Sequence, residues 1–208
     1  MKFLNCKIDV SKKIFRPRPE TEFWVGKALK DSGFKMKDLR ILDIFAGTGC
    51  IGIAILKACP ETVRRADFVD ISKDAIEQIK INIKFNRVPK NKCRVYKSDM
   101  FEKLKNNRYD FIFANPPYVA LERISEVQKE VLKKEPHTAL FAGADGMIAI
   151  ERFFDQVKKY LNPSGKIFLE FDPLQKEKIR KVFKREGFRS VFKKDQFRKY
   201  RWVEVERK

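Results

Sequence analysis

This 208-residue chain has one histidine, His137, and four scattered cysteines, Cys6, Cys50, Cys59 and Cys93, with no CxxC pair. That scarcity leaves no ligand set for zinc and no disulfide framework, so no metal is expected. Isolated thiols fit reduced cysteines and a cytoplasmic location. Long apolar runs are also missing. None reaches membrane-spanning length, and the amino terminus lacks a signal peptide's apolar core, so no membrane contact is expected. Repeats, low-complexity tracts and linkers are absent too. One unit is expected, with a hairpin-and-helix flap over residues 1–33 ahead of the main body, residues 34–208; it is read as a monomer.

Acidic residues are in short supply. Against 47 Lys and Arg stand 28 Asp and Glu, a formal charge of +19. Residues 176–208 alone carry 14 basic and five acidic side chains. Such a surface favours polyanions, nucleic acid or a ribonucleoprotein; a Lys-rich surface without any specific partner is the alternative. Apolar residues are plentiful at 43%, with 19 Phe, enough for a substantial core.

The pattern of the chain predicts alternating strands and helices. Phe3–Asp9 and Lys12–Phe15 read as a hairpin about Val10-Ser11, and a stiff Pro-rich link leads into a helix over 21–31 that ends at Ser32-Gly33. Strands are predicted at 40–45, 66–70, 93–97, 109–114, 166–171, 188–193 and 201–206. Helices are predicted at 50–58, from the Ser72 cap to Phe85, around 124–134, at 146–161 and at 174–186, with a turn at Asn162-Pro163-Ser164-Gly165. Seven strands separated by helices imply a doubly wound, Rossmann-like α/β sheet. The short link between the last two makes the final strand antiparallel.

The most informative segment is Asn115-Pro116-Pro117-Tyr118, behind the apolar strand 109–114. Two prolines end the strand and remove two backbone donors. An amide side chain is thereby held at the carboxyl edge of the sheet, where open α/β folds bind ligands. Asn115 Oδ1 and the Pro116 carbonyl can accept both hydrogens of an –NH2 group.

Upstream, Gly47-Thr48-Gly49 lies between a strand and a helix. No Gly-Lys-Ser/Thr follows, which excludes a Walker A loop. Gly47, Gly49 and Gly52 give the GxGxxG spacing, but Asp43 would repel a pyrophosphate and suits a cationic ammonium group. Asp70, beside Ile71, can accept two ribose hydroxyls at the end of its strand. Asp99 can take an exocyclic adenine amine, with Met100 packed on the ring. Amino-acid head, ribose and adenine in that order describe S-adenosylmethionine. An NAD-type Rossmann enzyme is the competitor, and with His137 alone it has no catalytic constellation.

Asp43-Ile44-Phe45-Ala46-Gly47-Thr48-Gly49, Phe68-Val69-Asp70, Ser98-Asp99-Met100-Phe101 and the Asn-Pro-Pro-Tyr segment together resemble class I methyltransferases that modify amino or amide nitrogens. Three further stretches narrow the resemblance. Phe15-Arg16-Pro17-Arg18-Pro19-Glu20-Thr21-Glu22, then Glu135-Pro136 through Leu140 with Gly143-Ala144-Asp145-Gly146-Met147, and Leu169-Glu170 with Gln175, are similar to the HemK/PrmC family of release-factor glutamine methyltransferases. The likeness runs from hairpin to last strand. Family members in bacteria usually carry a helical domain ahead of the hairpin, and this chain starts at the hairpin. Phe45 and Ala46 stand where the family has small or polar residues; cofactor binding is expected to survive.

The resemblance implies methyl transfer from S-adenosylmethionine to a glutamine amide, in the Gly-Gly-Gln motif of a peptide chain release factor, on or near the ribosome. Asn115, Pro116 and Tyr118 would be the catalytic set, with Pro117 beside them; Tyr118 would stack on the amide. Asp43, Phe45, Ala46, Gly47, Thr48, Gly49, Asp70, Ile71, Asp99, Met100 and Asn115 would face the cofactor. Arg16, Arg18 and Glu20 would shape the entrance or support the motif loop, with a rigid salt-bridged tether as the alternative. Methylation of an adenine or guanine amine in nucleic acid, and a catalytically silent ribosome-binding module, are the alternatives.

Overall fold

A strand followed by a covering helix returns parallel to itself, and six of the seven main strands run in one direction. In a computed structural model of the chain, which describes residues 1–31 and 36–208, the strands are β3 (Leu39–Ile44), β4 (Val63–Asp70), β5 (Cys93–Lys97), β6 (Tyr109–Ala114), β7 (Leu161–Glu170), β8 (Phe188–Lys194) and β9 (Tyr200–Arg207). Their order is β5-β4-β3-β6-β7-β9-β8, and β9 alone runs against the other six. The chain leaves β3 towards β4 and β5, then returns on the other side to β6. The β3/β6 boundary is therefore the switch point at which a crevice opens above the carboxyl ends.

Period-two alternation splits the core into two layers. Ile41, Phe68, Phe111, Phe113 and Phe168 face α1 (Pro19–Asp31), α2 (Cys50–Ala58) and α3 (Lys73–Phe85). Leu42, Ile44, Ile112, Ala114, Ile167 and Leu169 face α5 (Ile148–Val157) and α6 (Lys176–Glu186), while the short α4 (Lys129–Lys134) lies in the segment between. Helix α1 docks through aromatic rings: Trp24 stacks on Phe113 at 6.4 Å and on Trp202 at 5.9 Å.

Three expectations need correction. The hairpin is smaller and turns earlier, with β1 (Lys2–Phe3) against β2 (Cys6–Lys7) around Leu4-Asn5; residues 12–15 form no strand. Instead, the backbone of residues 7–12 is zipped along α3 by three amides one turn apart. Asn86, Asn82 and Gln78 accept the N–H groups of Lys7, Asp9 and Lys12, at 3.1, 2.8 and 2.9 Å. Side-chain amides on a helix here replace the partner strand.

The second correction concerns residues 162–165, expected as a turn before the strand. They lie within β7, as an excursion in its pairing: Tyr109 faces Leu161, but Phe111 already faces Lys166. The third concerns residues 124–134. They divide into a 3-10 stretch, Leu121–Glu126, and α4, because Val127 and Gln128 are extended between them. The expected helix end at Ser32-Gly33 lies outside the described residues.

Candidate functional site

The crevice is a cavity of about 860 Å³, within the range of small-molecule and cofactor sites. Its floor is the loop after β3. Gly47 adopts φ 52°, and a side chain there would extend into open space, so bare backbone faces the cavity. Gly52 has a different task. A Cβ at that position would sit 2.5 Å from the Phe68 ring, so glycine is what lets α2 press onto the sheet. Phe45 is held at φ 58°, a left-handed conformation costing a non-glycine residue about 1–2 kcal/mol. Its ring packs against Phe153 at 6.2 Å and lines the cavity.

Asp43 is not on that wall. It shares its strand parity with Ile41, so it points under α2, where Oδ2 accepts the Gly52 N–H at 2.8 Å. Burial pushes its carboxyl up to about 8, against the pull of that hydrogen bond. The carboxylate expected to meet an ammonium group is thus a buried brace for the loop.

Asp70 and Asp99 do line the cavity. Asp70 Oδ2 accepts the Gly47 N–H at 2.9 Å and Oδ1 the Ser72 N–H at 2.8 Å, tying two loops together. Burial raises its carboxyl above the ordinary range. Each oxygen keeps a lone pair for a ligand hydroxyl. Asp99 Oδ2 accepts from Arg152 Nη2 at 2.8 Å, which leaves Oδ1 for an amine. Ile71, Met100, Ala46 and Thr48 complete this end, Met100 at φ 46°. Gly49, also left-handed at φ 74°, caps α2 just behind.

At the other end stand Asn115, Pro116, Pro117 and Tyr118. Their support comes from residues distant in sequence. Glu170, at the end of β7 and 1% exposed, receives Thr21 Oγ1–H at 2.7 Å and Trp24 Nε1–H at 2.6 Å on Oε2. Its other oxygen receives Tyr118 O–H at 2.9 Å. Burial raises the Glu170 carboxyl while these three donors lower it, and the net direction is up. Burial and the nearby Glu170 charge hold the Tyr118 phenol well above its ordinary value. Asn115 Nδ2 donates to Thr21 Oγ1 at 3.4 Å. Gln175 Nε2 donates to the Tyr118 carbonyl at 2.9 Å. A Cβ on Gly146 would lie 2.2 Å from that carbonyl, so the 143–147 block packs directly on the motif loop.

The Pro-rich link divides its residues. Arg18 lines the cavity and pairs with the buried Glu135. Neither Arg16, which is exposed, nor the half-buried Glu20, in the first turn of α1, is part of the cavity wall. Sequence reasoning assigned no task to Thr21, Glu170, Gln175 or Gly146, although all four stood in the stretches that carried the resemblance. Trp24, Arg152 and Asn82 left no signal there.

The cavity thus offers a glycine-lined backbone floor, a carboxylate that can take two hydroxyls, a second that can take an amine, and a fixed amide at the far end. The two carboxylates suit the ribose hydroxyls and the adenine amine of S-adenosylmethionine; with Asp43 turned inward, no carboxylate among the described residues of the cavity wall is left for its ammonium group.

Comparison with known proteins bears on the fold and the family. The release factor glutamine methyltransferase of Streptococcus pneumoniae is 35% identical over 183 residues, covering 88% of this chain and 63% of the relative. That of Thermodesulfovibrio yellowstonii is 36% identical over 186 residues, covering 89% and 65%. The chain therefore spans just under two thirds of the length of these relatives. Among solved structures, a T. thermophilus 16S rRNA methyltransferase in complex with AdoMet and guanosine has the same fold, with a TM-score of 0.65 at 16% identity. The match covers 94% of this chain and 45% of that one. The methyltransferase small domain model matches residues 27–148, and the chain belongs to that family.

Proposed function

We propose that the chain transfers a methyl group from S-adenosylmethionine to the side-chain amide nitrogen of a glutamine, in the Gly-Gly-Gln motif of a peptide chain release factor. The observation that carries this reading is the pair of acceptors at the far end of the cavity. Neither Asn115 Oδ1 nor the Pro116 carbonyl has a hydrogen-bond partner among the described residues. Two unpartnered acceptors side by side match a primary amide presenting both N–H bonds.

An amide nitrogen is a weak nucleophile because its lone pair is delocalised into the carbonyl. Holding both N–H bonds fixes the lone pair on the methyl axis, and positioning of this kind supplies up to about 7–11 kcal/mol. The cofactor supplies an electrophilic methyl group on a cationic sulfur. As the N–C bond forms and the S–C bond breaks, positive charge grows on nitrogen, and the two fixed acceptors stabilise it without reorganising. One N–H proton then leaves to solvent, so no strong base is needed. Identity of 35–36% to two release factor glutamine methyltransferases supports glutamine as the acceptor.

A formal charge of +19 favours a second reading, transfer to an exocyclic nucleobase amine. Incubation with methyl-labelled cofactor, a release factor and total RNA separates the two. Label at the release-factor glutamine supports the proposal. Label on RNA alone supports the second reading, and no label on either removes both.

A further inference from the structure

We infer that Thr21 and Glu170 are positioning residues that set the polarity of the acceptor site, turning the Asn115 nitrogen to the protein and its oxygen to the substrate. The inference rests on the reading of the site as one for a primary amide and deepens it.

The oxygen and nitrogen of an asparagine amide have nearly the same shape, so hydrogen-bond partners decide which way it faces. The decision here starts at Glu170. Its carboxylate only accepts, and it collects three donors: Trp24 Nε1–H and Thr21 Oγ1–H on one oxygen, Tyr118 O–H on the other. Trp24 cannot do anything but donate, so Oε2 is fixed as an acceptor. A threonine hydroxyl has one proton, and the 2.7 Å bond to Glu170 uses it. Towards Asn115 it therefore offers lone pairs alone. Asn115 must answer with Nδ2, which lies 3.4 Å from Thr21 Oγ1, and Oδ1 is left for the cavity that Asn115 lines. Reversing the amide would set oxygen against oxygen. One buried carboxylate thus fixes the polarity of a group it does not touch, through one hydroxyl.

The same geometry excludes a partner that brings only oxygen lone pairs. A glutamate in place of the acceptor glutamine would meet Asn115 Oδ1 and the Pro116 carbonyl with no proton to offer. The relay is therefore a determinant of specificity as well as of rate.

The test uses Thr21→Val, which keeps the shape and removes the hydroxyl, and Thr21→Ser, which restores it. Thr21→Val should lower kcat about tenfold, the factor one neutral hydrogen bond carries. KM for the release factor and cofactor affinity should stay within about twofold, and Thr21→Ser should recover most of kcat. Glu170→Gln keeps an acceptor for Thr21 and Trp24, so it should retain kcat within about threefold. An unchanged kcat in Thr21→Val, a Ser variant as defective as Val, or a Glu170→Gln as defective as Thr21→Val would each overturn the inference.

A second readout needs no acceptor. In nitrogen-15 spectra, the Asn115 side-chain NH2 should be protected from solvent exchange in wild type and in Thr21→Ser, and unprotected in Thr21→Val. Equal protection in all three also overturns the inference. If the wild type leaves release-factor glutamine unlabelled, the functional reading fails, and the NMR comparison still decides the polarity.

Discussion

A single nitrogen of Arg18 bridges both oxygens of Glu135, Nη2 lying 2.8 Å from each. The pair joins the Pro-rich link to the 119–145 segment and closes one side of the cavity, while Phe15 packs under the Arg18 guanidinium at 4.7 Å. Glu135 is 3% exposed. Burial raises its carboxyl, and the Arg18 charge holds it down in part. Removing the arginine leaves a carboxylate in a poor environment. Arg18→Leu is expected to lose about 1–3 kcal/mol in chemical denaturation, less than a fully buried pair because Arg18 is partly solvated. Arg18→Leu/Glu135→Leu should recover most of that. Cofactor affinity by calorimetry should remain within about twofold in both, whereas KM for the acceptor rises.

Asp43 should give the fold a pH dependence of its own. Its folded value of about 8 lies above the ordinary carboxylate value of 3.8. Between those limits the native state holds a proton that the unfolded state has released. Its stabilising contribution is complete below pH 3.8 and is lost as pH rises through 8, by up to about 1.4 kcal/mol per unit. Asp43→Asn keeps an acceptor for Gly52 and removes the titration. Urea midpoints at pH 5 and pH 8.5 should converge in the variant and diverge in wild type. Cofactor affinity at pH 7 should change less than about threefold, and a loss of a hundredfold would restore Asp43 to the cofactor site.

Asn115 and Asp70 should separate chemistry from binding. Asn115→Ala is expected to abolish transfer while cofactor affinity stays within a few fold. Asp70→Ala removes the acceptor proposed for the ribose hydroxyls and releases the Gly47 and Ser72 N–H groups. It should weaken cofactor binding about a hundredfold, in line with the loss of charge-assisted hydrogen bonds. Calorimetry with the cofactor and turnover at saturating cofactor read the two effects independently.

Asn82 links the amino-terminal segment to the loop after β3. It is fully buried, accepts the Asp9 N–H, and donates to the carbonyls of Asp9 and Thr48 at 3.0 Å. Asn82→Ala strands three backbone groups and should cost about 2–4 kcal/mol. Because Thr48 is among them, cofactor affinity should fall as well. An exposed helix position such as Lys84→Ala is the control, with little change expected in either measurement.

Much of this architecture was legible because its signals are local. Cys50–Ala58, Cys93–Lys97 and Tyr109–Ala114 match the sequence reading residue for residue, each bounded by glycine, proline or polar residues that stop one pattern and start another. The hairpin is not legible in the same way, because the chain beside it is held by partners more than 65 residues away. Nothing within residues 1–15 announces that Gln78, Asn82 and Asn86 will supply the acceptors.

What the sequence by itself determined is the chemistry at the strand ends: an amide behind two prolines, a glycine loop, and acids at 70 and 99. Short-range rules of backbone geometry confine those groups to the carboxyl edge of a parallel sheet. Only the tertiary structure decided which of them face the cavity. Asp43 turned inward because strand parity set it under α2. Glu170, 149 positions from Thr21, became the group that orients Asn115. Side-chain direction and hydrogen-bond polarity depend on what packs opposite, and packing brings together residues that the sequence keeps far apart.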